Sequence, residues 1–121
     1  MIYGIFLGYT FTPAWLAMLR SDRARFQAKH IEPVLAKYAD RLTIRHYDAE
    51  AFSTDPTDFA LITTDDLAAY YFFIEELRDS PLITNGLAEL RAIHIGVADG
   101  YRHFDRQATT PHGADPNITA P

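Results

Sequence analysis

Apolar and polar residues change rhythm along this chain, and each change marks an element. From Ile2 to Tyr9 they alternate at the period of a strand, with Tyr3, Ile5, Leu7 and Tyr9 on one face and Ile2, Gly4, Phe6 and Gly8 on the other. The glycines thin the second face, which suits a bulge or a closely packed neighbour better than a ligand. Pro13 fits the first turn of a short helix carrying Trp15, Leu16, Met18 and Leu19, and Ser21 with Asp22 offers a second helix start. Ile31, Val34, Leu35 and Tyr38 fall on one helical stripe, but Pro33 removes a backbone donor inside it and predicts a kink or local break.

The spacing predicts a second strand over Leu42 to Asp48, a turn at Ser53-Thr54-Asp55-Pro56 and a third strand from about Asp58 to Thr63. Thr64 or Asp65 should cap a helix whose Leu67, Tyr70, Tyr71, Ile74 and Leu77 share a stripe, closed by Ser80-Pro81. After Asn85-Gly86, Leu90 to Val97 reads as a fourth strand, and Asp99-Gly100 turns the chain toward Tyr101 and Phe104. This order predicts an α+β fold, a ferredoxin-like βαββαβ antiparallel sheet with helices on one face. The other face keeps large apolar residues, so a second copy stacked on it, a dimeric α+β barrel, is the economical way to cover them. Residues 1–106 read as a single domain, and 107–121, rich in Thr, Pro, Gly and Ala, as a flexible tail whose Asn117-Ile118-Thr119 sequon is accidental.

Composition narrows the chemistry. A chain of 121 residues with 48% hydrophobic content can bury one core without covalent staples, and the lack of cysteine removes disulfides, thiolate nucleophiles and Cys-ligated metals. A formal charge of −5 with no basic cluster argues against nucleic acid or anionic membrane as partner. The apolar run Ile2 to Leu7 is too short for a membrane span or a secretory leader, so a cytoplasmic location is expected.

The polar run Arg45-His46-Tyr47-Asp48-Ala49-Glu50-Ala51-Phe52 sits among core-building segments. His46 and Asp48, two apart on a strand, share a face and can act as a general base and its orienter; a solvent-facing pair on an edge strand is the structural alternative. Arg45 and Tyr47 share the opposite face, where they could stabilise developing negative charge, or where Arg45 could pair with Glu50, Glu75 or Asp79. Trp15, Tyr70, Tyr71 and His94 are candidate substrate contacts, although aromatics at helical spacing also build cores and interfaces. His46, Asp48 and His94 match the residue types of a two-histidine, one-carboxylate iron site, but the second and fourth strands should lie far apart. No Gly-rich phosphate loop or serine elbow is present, so the expected chemistry uses no cofactor.

Thr12-Pro13-Ala14-Trp15-Leu16, the block from Arg45 to Phe52, Tyr70-Tyr71-Phe72, Leu77-Arg78-Asp79-Ser80-Pro81 and Asp99-Gly100-Tyr101-Arg102 occur in this order. Together they resemble the darcynin family of small bacterial proteins. The resemblance implies an α+β sandwich of the dimeric-barrel kind and carries no stated biochemical role. His46 stands where an aromatic or apolar residue would be expected of the family, and His94 where an aliphatic one would. The leading expectation is a homodimeric biosynthetic enzyme acting on a small molecule, with aromatic substrates among the candidates, by acid–base chemistry in a pocket between sheet and helices, such as a cyclase, isomerase, lyase or cofactor-independent oxygenase. A non-catalytic ligand-binding or interaction module is the alternative, and a His/Asp metal-dependent oxygenase the third reading.

Overall fold

Alternation builds β1 (Tyr3–Phe11), which lies inside a four-stranded antiparallel sheet of order β2-β3-β1-β4, with β2 at Thr43–Asp48, β3 at Asp58–Thr64 and β4 at Ala88–Val97. The structure is a computed structural model and describes residues 1–109. The strand order is that of the predicted ferredoxin-like sheet, with β2 and β4 as its edges.

Between β1 and β2 the chain forms α1 (Pro13–Leu16), α2 (Arg20–Phe26), a π-helical segment (Gln27–Ile31) and α3 (Glu32–Tyr38). The break that Pro33 demands is this wide turn: a residue without an N–H cannot continue the α-helical ladder, and the π segment absorbs the mismatch just before it. Helix α4 (Leu67–Asp79) is capped by Asp66 rather than by Thr64 or Asp65. The Asp66 carboxylate accepts from the Ala69 N–H at 3.0 Å. Thr64 is buried at the end of β3, where its hydroxyl donates to the Arg41 carbonyl at 2.8 Å and accepts from the Asp66 N–H at 2.9 Å. Two helices were not expected, the short α5 (Pro81–Thr84) and α6 (Gly100–Thr109). Because α6 crosses position 106, ordered structure continues past the expected domain boundary; the rest of the expected tail, with its sequon, lies outside the described residues.

The helices cover one sheet face. Ile5 and Ile62, 2% and 0% exposed, sit beneath Tyr38, Tyr70, Phe73 and Ile74, while a second cluster of Trp15, Leu82 and Ala88 gathers Phe11, Phe26 and Ile31 toward the far end of β1. The opposite face carries one ring from each strand in a row. Tyr47 stacks on Phe59 at 5.0 Å, Phe59 on Phe6 at 5.1 Å, and Phe6 meets His94 at 5.9 Å. At one end of this face the register slips between Gly8 and Tyr9, leaving Arg91 as the extra residue of β4. Its guanidinium grips the Asp55 carboxylate through Nε and Nη2 at 2.9 and 2.8 Å, and so pins the β2–β3 loop with Pro56 over Gly8.

Candidate functional site

The two clusters do not close against each other. Between the sheet and the helices a cavity of about 350 Å³ opens, within the size range of small-molecule sites. Leu7 and Ala60 floor it; Trp15, Ile31, Leu35, Phe73 and Leu82 wall it. Ala60 matters here because its small side chain occupies a central strand position where a larger residue would fill the space.

Sheet pairing then decides which polar groups reach this space. His46 pairs with Ala60 and Asp48 with Asp58 across β2 and β3, and Ala60 pairs with Leu7 of β1, so all five residues face the helices. Tyr9, two residues after Leu7, adds its phenol. The result is a polar end made of Tyr9, His46 and Asp58, with Glu32 at the helical side. Burial pushes the Tyr9 phenol up to about 12, helped by the charges of Asp58 and Asp48. Burial also raises the Asp58 carboxyl; a 2.8 Å hydrogen bond from the Thr57 hydroxyl works against that, and Asp48 and Glu50 reinforce it. His46 is exposed on the edge strand, yet desolvation on its cavity side lowers its pKa and so favours the neutral imidazole.

The expected His46–Asp48 couple is not formed. Among the described residues the His46 side chain makes no hydrogen bond or ion pair, and the Asp48 carboxylate instead accepts from the Glu50 backbone N–H at 3.3 Å. Strand geometry puts the two side chains on one face but does not bring them into contact. Arg45 and Tyr47 point to the other face, where Tyr47 is committed to the ring row and Arg45 is exposed, without an ion pair to Glu50, Glu75 or Asp79. Of the aromatic candidates, Trp15 is 4% exposed and lines the cavity, Tyr70 is packed into the core, and Tyr71 is exposed on the outer side of α4. His94 follows Ile93, the partner of Leu7, and therefore faces away from the cavity. His46 and His94 thus occupy opposite edges and opposite faces, so with Asp48 they do not make a ligand set within one chain. No group of three or more His, Cys, Asp or Glu side chains among the described residues is placed to hold a metal.

Sequence reasoning passed over Tyr9, Asp58 and Glu32. The available signal was parity: Asp58, Ala60 and Ile62 alternate on one face of β3, and a carboxylate followed by an alanine interrupts an otherwise bulky apolar row.

Residues 3–112 match the family model described as Darcynin, domain of unknown function. The chain belongs to the darcynin family. It is 39% identical over 90 residues to Darcynin 1 of Acinetobacter baumannii, covering 74% of this chain and 99% of that one. With the Darcynin of Chromobacterium violaceum it shares 40% identity over 77 residues, 64% of this chain and 96% of the relative. Solved structures share the fold at low identity. A heme-binding protein from Thermus thermophilus superposes with a TM-score of 0.73 at 15% identity, over 84% of this chain and 43% of that one. A chlorite dismutase variant from Candidatus Nitrospira defluvii gives 0.70 at 12% identity, over 93% of this chain and 50% of its own. The chain therefore spans about half the length of these structural neighbours. No described helix is long and apolar enough to cross a membrane.

Proposed function

We propose that the protein binds a small, largely apolar molecule in the sheet–helix cavity and uses His46 as a general base on it. The observation that carries this reading is the cavity itself, an apolar chamber with its titratable groups gathered at one end. A histidine biased toward its neutral form can accept a proton near pH 7, and the Tyr9 phenol, held protonated, can donate a hydrogen bond to the product of that transfer. The reaction class is proton abstraction followed by rearrangement, as in an isomerase or cyclase. Arg45 and Tyr47 take no part within one chain, since they face away.

The bare sheet face supports a homodimer, in which the row of Tyr47, Phe59, Phe6 and His94 is covered by its copy. Sedimentation should give twice the 13.7 kDa chain mass, and a monomer at micromolar concentration would remove the dimer.

Heme, bound by the Thermus neighbour, does not fit this cavity. Among the described residues no Lys or Arg lines it to meet the two propionates, and its titratable lining beside His46 and Tyr9 is the two carboxyl groups of Glu32 and Asp58.

The test is exchange chemistry. Metabolites that raise the melting temperature are incubated with the protein in D₂O, and loss of a C–H signal by NMR reports proton abstraction. His46→Gln should retain the thermal shift and lose the exchange; undiminished exchange in the variant would remove His46 from the mechanism. The second reading, a ligand-binding protein without catalysis, is favoured by the lack of any hydrogen bond orienting His46 among the described residues. It predicts binding with no exchange in either protein.

A further inference from the structure

Among the described residues no Lys or Arg lines the cavity. Glu32 and Asp58 supply its charged groups, His46 and Tyr9 its other titratable ones, and the remaining lining is apolar apart from Gln27. Asp48 stands directly opposite Asp58 across the strand pair, a like-charge arrangement that costs stability unless something positive sits nearby. Nothing does. The chain's described ion pairs occupy Asp22, Asp40, Asp55, Glu76 and Glu89, and none involves Asp48, Glu50 or Asp58.

The wall beside Asp58 is aromatic, Tyr9, Phe11 and Trp15 all lining the cavity. Tyr9 meets Phe11 edge-on at 5.6 Å, Phe11 stacks on Trp15 at 5.0 Å, and Trp15 meets Phe26 at 5.6 Å. Aromatic faces carry negative quadrupole density and attract ammonium groups, most strongly where water is excluded. The half-buried Asp58 carboxylate accepts one hydrogen bond, from the Thr57 hydroxyl, but has no ion pair among the described residues, and it shares the preference for a cation that can donate hydrogen bonds. A bare divalent ion would not satisfy both, because it needs several oxygen ligands and gains little from an apolar chamber.

We infer that the ligand is a protonated amine with an apolar or aromatic body, its ammonium seated between Asp58 and the Tyr9–Phe11–Trp15 wall. This deepens the proposed function and rests on the cavity being a ligand site. It also sets direction: the carboxylate end holds the head group, and the hydrocarbon lies over Ala60 and Leu7 toward Phe73.

The test uses three probes sharing one body, 2-phenylethylamine, 2-phenylethanol and 3-phenylpropionate, added to the whole chain at pH 7. Trp15 is the chain's single tryptophan and lines the cavity, so its fluorescence reads occupancy directly. The amine should bind about tenfold or more tighter than the alcohol, with the carboxylate weakest. Asp58→Asn should remove the amine's advantage, while Asp22→Asn, at an exposed pair on α2, should leave it intact. The melting temperature of Asp58→Asn without ligand checks that the variant is folded. Binding of the alcohol or the acid as tightly as the amine overturns the amine assignment and leaves the cavity reading standing. Silence of all three, with no metabolite shifting the Trp15 signal, overturns both.

Discussion

Two alanines, Ala60 and Ala69, are each 1% exposed, yet they should respond oppositely to the same substitution. Ala60 borders the cavity of about 350 Å³, so the two methyl groups added by Ala60→Val enter existing space. At roughly 0.8 kcal/mol per buried carbon the gain has a ceiling of about 1.6 kcal/mol, and a β-branched residue also suits a strand. We expect Ala60→Val to be between neutral and about 1.5 kcal/mol more stable. Ala69 lies on α4 in the closed part of the core and does not line the cavity. There the same methyls overpack, at a cost of about 1–3 kcal/mol, with a few tenths more for a β-branched residue in a helix. Thermal and urea denaturation resolve the difference, since about 1 kcal/mol moves the midpoint by roughly 4 °C in a domain of this size. Ligand-induced shifts should also shrink in Ala60→Val. A fall of several degrees in both variants would mean that the space above Ala60 is filled, and the cavity argument would fail with it.

Gly8 and Gly4 share the bare face but differ in their surroundings. A Cβ at Gly8 would lie 2.9 Å from Pro56 Cγ and 3.0 Å from Phe6 Cε1, so Gly8→Ala should cost about 1–2 kcal/mol by displacing the loop; Gly4→Ala meets nothing within 4 Å and should melt at or above the parent temperature. Equal melting of the two variants would contradict the loop's position. Removing the α4 cap with Asp66→Ala should cost about 1 kcal/mol, seen as a lower urea midpoint at unchanged slope, whereas Asp65→Ala should be silent. For pH, the raised Asp58 pKa favours the protonated native state, so its contribution is full below about pH 4 and is lost as pH climbs through the raised value; Asp58→Asn should flatten that decline. The lowered His46 pKa acts in the other sense, its contribution being full above about pH 6.5 and lost as pH falls through the depressed value. Melting temperatures of parent, Asp58→Asn and His46→Gln from pH 4 to 8 test both signs, and superimposable profiles would refute them.

The sequence by itself determined the elements and their order. Period-two alternation in Tyr3–Phe11 and Asp58–Thr64, the α4 stripe through Tyr70, Ile74 and Leu77, and the disruption at Pro33 are local properties, set by side-chain spacing and by one missing N–H; that Phe73 rather than Tyr71 completes the buried stripe is seen in the fold. They fix which face of each strand is apolar, and with the split βαβ order they leave few ways to assemble the sheet. Helix α6 escaped because Asp99-Gly100 signals a turn, although Tyr101, Phe104 and Ala108 follow at helical spacing; the structure leaves Tyr101 and Phe104 exposed rather than in the core. The site was only half legible. His46 and Trp15 stood out as residue types, but their meeting across a cavity depends on β2 pairing with β3 so that His46 falls opposite Ala60. The same pairing brings Asp58 and Tyr9 to the polar end and sends Arg45, Tyr47 and His94 to the far face. A local pattern states which side of its own strand a residue occupies; which residues share a chamber is decided by register between strands distant in sequence, and whether that chamber stays open depends on the volumes of all the side chains packed around it.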